Sequence, residues 1–178
     1  MAFTLRLATL EDRPELQKLI ERSARGLSAG DYTPQQVELA LLGAYGVDST
    51  LIRDGTYFVA ESEGALVGCG GWSRRRTMYG GDALGARDAV ELDPATDAAR
   101  IRAFFIDPAH ARQGIARAIL HRCEAEARAH GFKRLDLMAT LPGVRLYRAE
   151  GYLPGEAGEY PVAEGVTMRF VPMSKVLE

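Results

Sequence analysis

Ile106-Asp107-Pro108-Ala109-His110-Ala111-Arg112-Gln113-Gly114-Ile115-Ala116 is the stretch on which the reading of this chain turns. It joins an apolar run, Ile101 to Ile106, to the best helical pattern in the sequence. The run reads as a strand, closed at Asp107-Pro108 because proline has no N–H for a ladder. From Gln113 to His130, Ala116, Ile119, Leu120, Cys123 and Ala127 recur at three- and four-residue intervals, with Arg117, His121, Glu124 and Arg128 outward. Glu124 and Arg128 stand four apart in the favourable order, and Gly131 ends the helix. A helix opening directly from a strand end presents unpaired N–H groups and a partial positive charge, which suit a diphosphate. Gly114 permits close main-chain approach, Ala116 is nearly as small, and Arg112 and Arg117 add charge. By spacing alone, an ordinary strand-to-helix turn fits equally well.

Working outward, Phe3, Leu5 and Leu7 alternate with polar or small residues as a first strand. Asp12 is the expected cap of a following helix with Pro14 in its first turn and Leu16, Leu19 and Ile20 as its stripe. Thr33-Pro34-Gln35-Gln36 marks a second helix start; Val37, Leu41 and Leu42 form its apolar face and Gly43 stops it. Tyr57 to Ala60 and Ala65 to Cys69 read as two strands joined at Glu63-Gly64. Residues 74–98 show no period, and a connection that long is more often functional or an insertion than a plain turn. Beyond the long helix, Leu135 to Ala139 is a strand, Gly143 to Ala149 a short helix stopped by Gly151, and Val166 to Phe170 a last strand. This mixture of β, two helices, strands, then β-α-β-α-β indicates α/β or α+β packing, with helices on both faces of one sheet.

Length and composition set bounds. The 178 residues suit one domain, 1–178, and 47% apolar with 26% charged residues is an ordinary globular balance. With 22 basic and 24 acidic side chains the net charge is −2, so nothing draws the chain generally to nucleic acid or an anionic membrane. The N-terminus lacks a basic segment followed by an apolar run, and no stretch is long enough to span a bilayer, so a cytoplasmic location is expected. Cys69 and Cys123 read most simply as buried free thiols. The three histidines lack metal-ligand spacing, and no metal is expected. Neither a Gly-x-Gly-x-x-Gly turn nor a Walker-type Gly-Lys-Ser/Thr is present.

Residues 104–120 resemble the acyl-CoA-binding segment of the GCN5-related N-acetyltransferase (GNAT) superfamily, Arg/Gln-x-x-Gly-x-Gly/Ala after a strand ending in aliphatic-x-Pro. Gly114 and Ala116 match the fourth and sixth positions, while Ala111 departs from the first and removes a side-chain phosphate contact. Leu146-Tyr147-Arg148-Ala149-Glu150-Gly151-Tyr152 resembles the superfamily's aromatic-Tyr-x-x-x-Gly-aromatic segment. Pro142-Gly143-Val144 stands where an asparagine is common, and Thr140 is the candidate replacement donor.

The resemblance implies a single mixed, mostly antiparallel sheet of six to seven strands, splayed between strands 4 and 5, with helices on both faces. It implies acetyl-CoA as co-substrate and an amine of a small molecule or peptide as acceptor. The diphosphate would lie on Arg112, Gln113, Gly114, Ile115, Ala116 and Arg117, and the pantetheine arm along Phe104, Phe105 and Ile106. An N–H of that strand would polarise the thioester carbonyl, with a β-bulge expected near Phe105. Tyr147 would protonate the leaving thiolate. Glu61, Glu63 and Asp107 are candidate bases, none singled out. Arg74-Arg75-Arg76 reads as a solvated charge run, a hold on an acidic substrate or cofactor phosphate, or a contact to nucleic acid, and Trp72 and Tyr79 as pocket or core. A homodimer is common among proteins that look like this, though no interface shows in the sequence. The alternative is a non-catalytic acyl-CoA-binding or regulatory module; a Phe at position 147 would have favoured it, and Tyr147 favours the enzyme.

Overall fold

The structure, a computed structural model, describes residues 2–84 and 88–178, so Met1 and residues 85–87 of the long connection lie outside it. In chain order the elements are β1 (Thr4–Leu7), α1 (Arg13–Leu27), α2 (Pro34–Ala40), α3 (Ser49–Asp54), β2 (Tyr57–Ser62) and β3 (Ala65–Ser73). There follow β4 (Ala99–Ile106), α4 (Ile115–Ala129), β5 (Arg134–Thr140), α5 (Val144–Ala149), β6 (Leu153–Pro154), β7 (Gly158–Ala163) and β8 (Val166–Val176).

The sheet runs β1-β2-β3-β4-β5-β8-β6, with β7 also paired to β8. Every pairing is antiparallel except β4 with β5. It has eight strands rather than six to seven. The additions are β6 and β7: a two-residue strand carries no period, and β7 is broken by Pro161. Glu63 (φ 52°) and Gly64 (φ 80°) both take the left-handed conformation between β2 and β3, as a two-residue hairpin turn of the primed type requires.

Alternation along the strands divides the core in two. Phe58, Trp72, Leu135 and Leu137 face α4 through Ile115, Ile119, Leu120 and Cys123. Tyr57, Val59, Cys69 and Phe170 face α1, α2 and α3 through Leu16, Leu19, Ile20, Val37 and Leu51. Helices therefore cover both faces, as the element order implies. Both cysteines are buried and free, and burial pushes the Cys69 thiol up to about 12.

Several local expectations need correction. Asp12 does not cap α1; its carboxylate accepts the Thr9 N–H (2.7 Å) and pairs with Arg6 (2.8 Å), closing a short 3-10 turn ahead of the helix. The Thr33/Gln36 capping box is present, but Leu42 is exposed, because α2 ends at Ala40 and the chain turns before Gly43. Helix α3 went unread although its signals are in the sequence: Asp48 caps the N–H groups of Thr50 and Leu51, and Gly55 ends it at φ 72°. Glu124 points inward rather than outward, accepting from Tyr152 Oη (3.0 Å) and Lys175 Nζ (3.0 Å) instead of pairing with Arg128. Arg74 and Arg75 pair with Asp54, Arg75 at 2.8 Å, so the arginine run is mostly spent inside the protein. Trp72 is core, donating its indole N–H to Glu126 (3.1 Å). Among the described residues no helix is long and apolar enough to cross a membrane.

Candidate active site

β4 and β5 share only two rungs, Ala99↔Leu135 and Arg100↔Asp136, and then diverge. A cleft of about 620 Å³ occupies the gap. Its shape follows from an irregularity in β4, where three steps from Arg102 to Phe105 oppose two from Gly71 to Cys69. The extra residue lies at Ala103-Phe104, just ahead of Phe105, where a bulge was expected. Ala103 adopts φ 56°, uncommon for a residue with a Cβ. Its carbonyl accepts the buried Tyr57 hydroxyl (2.9 Å), which anchors the bulge to β2. Phe104 then lies flat against Gly70, where any added Cβ would fall 2.6 Å from its ring. Phe105 faces the opposite side and meets the Tyr45 ring edge-on at 5.7 Å.

One end of the cleft is the turn into α4. Asp107 accepts the Ala109 N–H (2.9 Å) to shape the first turn, and the Ile106 N–H donates to Ser23 Oγ (3.0 Å). Arg112 (φ 61°) and Gly114 (φ 83°) both sit in the left-handed region. For Gly114 this conformation is the constraint, since an added Cβ would meet nothing within 4 Å. The first helical hydrogen bond runs from the Ala118 N–H to the Gly114 carbonyl (3.0 Å). Among the described residues, the six N–H groups from Arg112 to Arg117 therefore donate to no protein acceptor. Arg117 Nε pairs with Glu150 (2.6 Å), which also meets His121 Nε2 (2.6 Å). Burial opposes the charge of Glu150, yet hydrogen bonds from His121 and Arg117 outweigh it and hold the carboxyl below its ordinary range. Close by, His110 Nδ1 is sealed from solvent without a partner.

Deeper in, Tyr147 lies between the rings of Phe104 (6.2 Å) and Tyr152 (5.7 Å). It lines the cleft, and among the described residues its hydroxyl makes no hydrogen bond and is not sealed in. Burial raises its pKa above the usual tyrosine value, so it is a protonated phenol near neutral pH.

Of the residues singled out from the sequence, Phe104, Phe105, Ile106, Arg112, Gly114, Ile115, Ala116, Arg117, Thr140 and Tyr147 all border this one cleft. Gln113 does not: its side chain turns to solvent, and only its N–H belongs to the turn. The candidate bases are elsewhere. Glu61 pairs with Arg6 (2.7 Å), Asp107 with Arg22 (3.2 Å), and Glu63 sits in the hairpin turn. None of the three lines the cleft.

The far wall is built from Tyr45, Tyr79, Met138, Phe170 and Arg102; Tyr79 was a pocket candidate from the sequence, whereas Met138, Phe170 and Arg102 were missed. Arg102 is buried and donates to Asp48 (2.8 Å) and the Gly80 carbonyl (2.6 Å). An arginine inside an otherwise apolar strand was the available signal.

The model of the acetyltransferase (GNAT) family matches residues 17–152. A search of curated proteins gives no match. Among solved structures, a GCN5-related N-acetyltransferase from Rhodopseudomonas palustris superposes with a TM-score of 0.72 at 18% identity, covering 99% of this chain and 97% of that one. PaiA N-acetyltransferase from Thermoplasma acidophilum, solved in complex with coenzyme A, gives 0.65 at 13% identity over 99% of each chain. YncA, a putative acetyltransferase from Salmonella typhimurium solved with its cofactor acetyl-CoA, gives 0.64 at 17% identity over 100% and 95%. The splayed sheet, the bulged fourth strand and the match across most of the sequence place this chain in the acetyltransferase (GNAT) family.

Proposed function

We propose that this chain, as one domain, transfers an acetyl group from acetyl-CoA directly to an amine. The observation that carries the reading is the row of six unpartnered N–H groups, Arg112 to Arg117, opening onto a cleft between two strands that have parted. Two structural neighbours, one with coenzyme A and one with acetyl-CoA, support the same ligand here.

In this reading the turn amides and the α4 dipole hold the diphosphate, with Arg112 adding charge from the rim. Arg117 contributes less than its position suggests, because Glu150 already neutralises it. The pantetheine arm runs along the backbone that β5 leaves unpaired, and a β4 N–H beside the bulge stabilises the oxyanion. Thr140, at the end of β5, is the side-chain donor where relatives carry an asparagine. The amine nitrogen bonds to the thioester carbonyl carbon, the C–S bond breaks, and Tyr147 gives its proton to the departing sulfur. Among the described residues no carboxylate lines the cleft, so the amine proton leaves through water.

A thermal melt with and without millimolar acetyl-CoA tests the binding half of this reading. The melting temperature should rise through linkage to the folded state. No rise would sink the assignment, and thiol release that does not depend on added amine would sink direct transfer.

A further inference from the structure

The far end of the cleft has a chemistry of its own. Phe104 and Tyr147 pack with the core on the α4 side, whereas Phe105, Met138 and Phe170 pack with the core under α1, α2 and α3. The amides that fix the cofactor end stand at the start of α4, so the space on the opposite face is left for the acceptor. Two edge-to-face pairs wall it, Tyr45 with Phe105 and Tyr79 with Phe170, both at 5.7 Å.

Of the polar groups of that wall, those of Tyr79 and Arg102 are occupied by the protein, whereas the buried Tyr45 hydroxyl has no partner among the described residues. The Tyr79 hydroxyl donates to the Pro161 carbonyl (2.8 Å). Arg102 is engaged by Asp48, the Gly80 carbonyl and the Thr77 carbonyl (3.2 Å). Asp48 itself is 1% exposed and is not part of the lining. The wall is also built in advance: the Ala44 N–H donates to Val162 (2.8 Å) and the Gly81 N–H to Ala44 (3.1 Å), tying both edges into the fold.

We infer that the acceptor is a monoamine carried on an aromatic or apolar body, and not a polyamine, an amino acid or a peptide. The inference rests on the acetyl-transfer reading above and deepens it. Among the described residues the lining contains no Asp or Glu. A second ammonium on the acceptor would lose its hydration there without a carboxylate to replace it. An acceptor carboxylate would meet, as the cation at that end, a guanidinium whose partners are already in place. Aromatic faces and edges, by contrast, favour a ring and tolerate the single amine on its way to the thioester.

The test compares 2-phenylethylamine, spermidine, glutamate and a short alanine peptide at fixed acetyl-CoA, following thiol release and product mass. The expected result is a kcat/KM for 2-phenylethylamine at least tenfold above each of the others. Equal or better turnover of any of the other three overturns the inference. So does the absence of phenylethylamine turnover in a protein whose melting temperature acetyl-CoA still raises. Absence of that thermal shift fails the acetyl-CoA reading itself and is distinguishable on that ground. Met138→Glu, which puts a carboxylate into the wall, should move the spermidine to phenylethylamine ratio at least tenfold towards spermidine. An unmoved ratio in a variant that keeps the acetyl-CoA shift also counts against the inference.

Discussion

Tyr147 and Tyr152 flank the end of α5, and their hydroxyls have different fates. Tyr152 donates to Glu124, whereas the Tyr147 hydroxyl, in the cleft lining, makes no hydrogen bond among the described residues. Tyr147→Phe should therefore lower kcat by about 10²-fold, within the span of general-acid catalysis, and leave the acetyl-CoA thermal shift in place. Unchanged kcat would remove the acid role. At Gly114 the constraint is conformational, so Gly114→Val should cost about 1–2 kcal/mol by forcing a β-branched residue to φ 83°, and should abolish the acetyl-CoA shift. Denaturant unfolding checks the first effect and a thermal melt the second. Both residues were legible because their neighbours in sequence define them: a strand end and helix start around Gly114, a spaced glycine and aromatic around Tyr147. Glu124 was not legible, since its partners Tyr152 and Lys175 arrive from distant parts of the chain.

At the scale of elements, β4 shows how a strand is made irregular on purpose. The Tyr57 hydroxyl holds the Ala103 carbonyl, and the bulge re-aims Phe104 and Phe105 to opposite faces. Tyr57→Phe leaves that carbonyl buried without its donor and should cost about 1–3 kcal/mol. It should also reduce kcat/KM, because the backbone beside the bulge no longer holds its place; a stability loss with intact kcat/KM would separate the bulge from catalysis. Arg102, immediately before the bulge, joins β4 to the cap of α3. Arg102→Met removes the cation beside the buried Asp48 carboxylate and should destabilise by about 3–5 kcal/mol in denaturant unfolding. The strand was readable from its apolar run, whereas the tyrosine that shapes it lies some forty-six positions earlier and carries no local sign of the role. Helix α3 was readable in principle, for its cap and its terminal glycine stand in plain order, but six residues are too few for a convincing apolar period.

For the whole molecule, element order and the two diagnostic segments disclosed the splayed sheet; of the far wall, Met138, Phe170 and Arg102 were not disclosed. That wall is assembled from a turn after α2, a loop after β3 and single residues of β4, β5 and β8, and no local pattern marks such convergence. Arg6 ties distant parts together in a similar way, bridging Asp12 beside α1 and Glu61 on β2. The hydrogen bonds from Arg6 hold the Asp12 carboxyl down to about 2, below its ordinary value of 3.8. A depressed carboxyl stabilises the fold above the unfolded value and loses that contribution as pH falls through the folded one. Stability should therefore drop between about pH 4 and pH 2, and Asp12→Asn should cost about 1 kcal/mol at neutral pH while flattening that limb. Unfolding curves across this range provide the check; an unchanged acid limb in Asp12→Asn would assign the sensitivity to other carboxylates.

The two-rung contact between β4 and β5 has a further consequence for how the protein breathes. A ladder that stops after Arg100 leaves the bulged stretch at Phe104, which has no partner in β3 either, next to a gap instead of a neighbouring strand. In deuterated buffer without ligand, the Phe104 amide should exchange faster than the amides that bond in the ladder between β5 and β8. Saturating acetyl-CoA should slow it and the Arg112–Arg117 amides together, as if a ninth strand and a counter-ion had been added in one step.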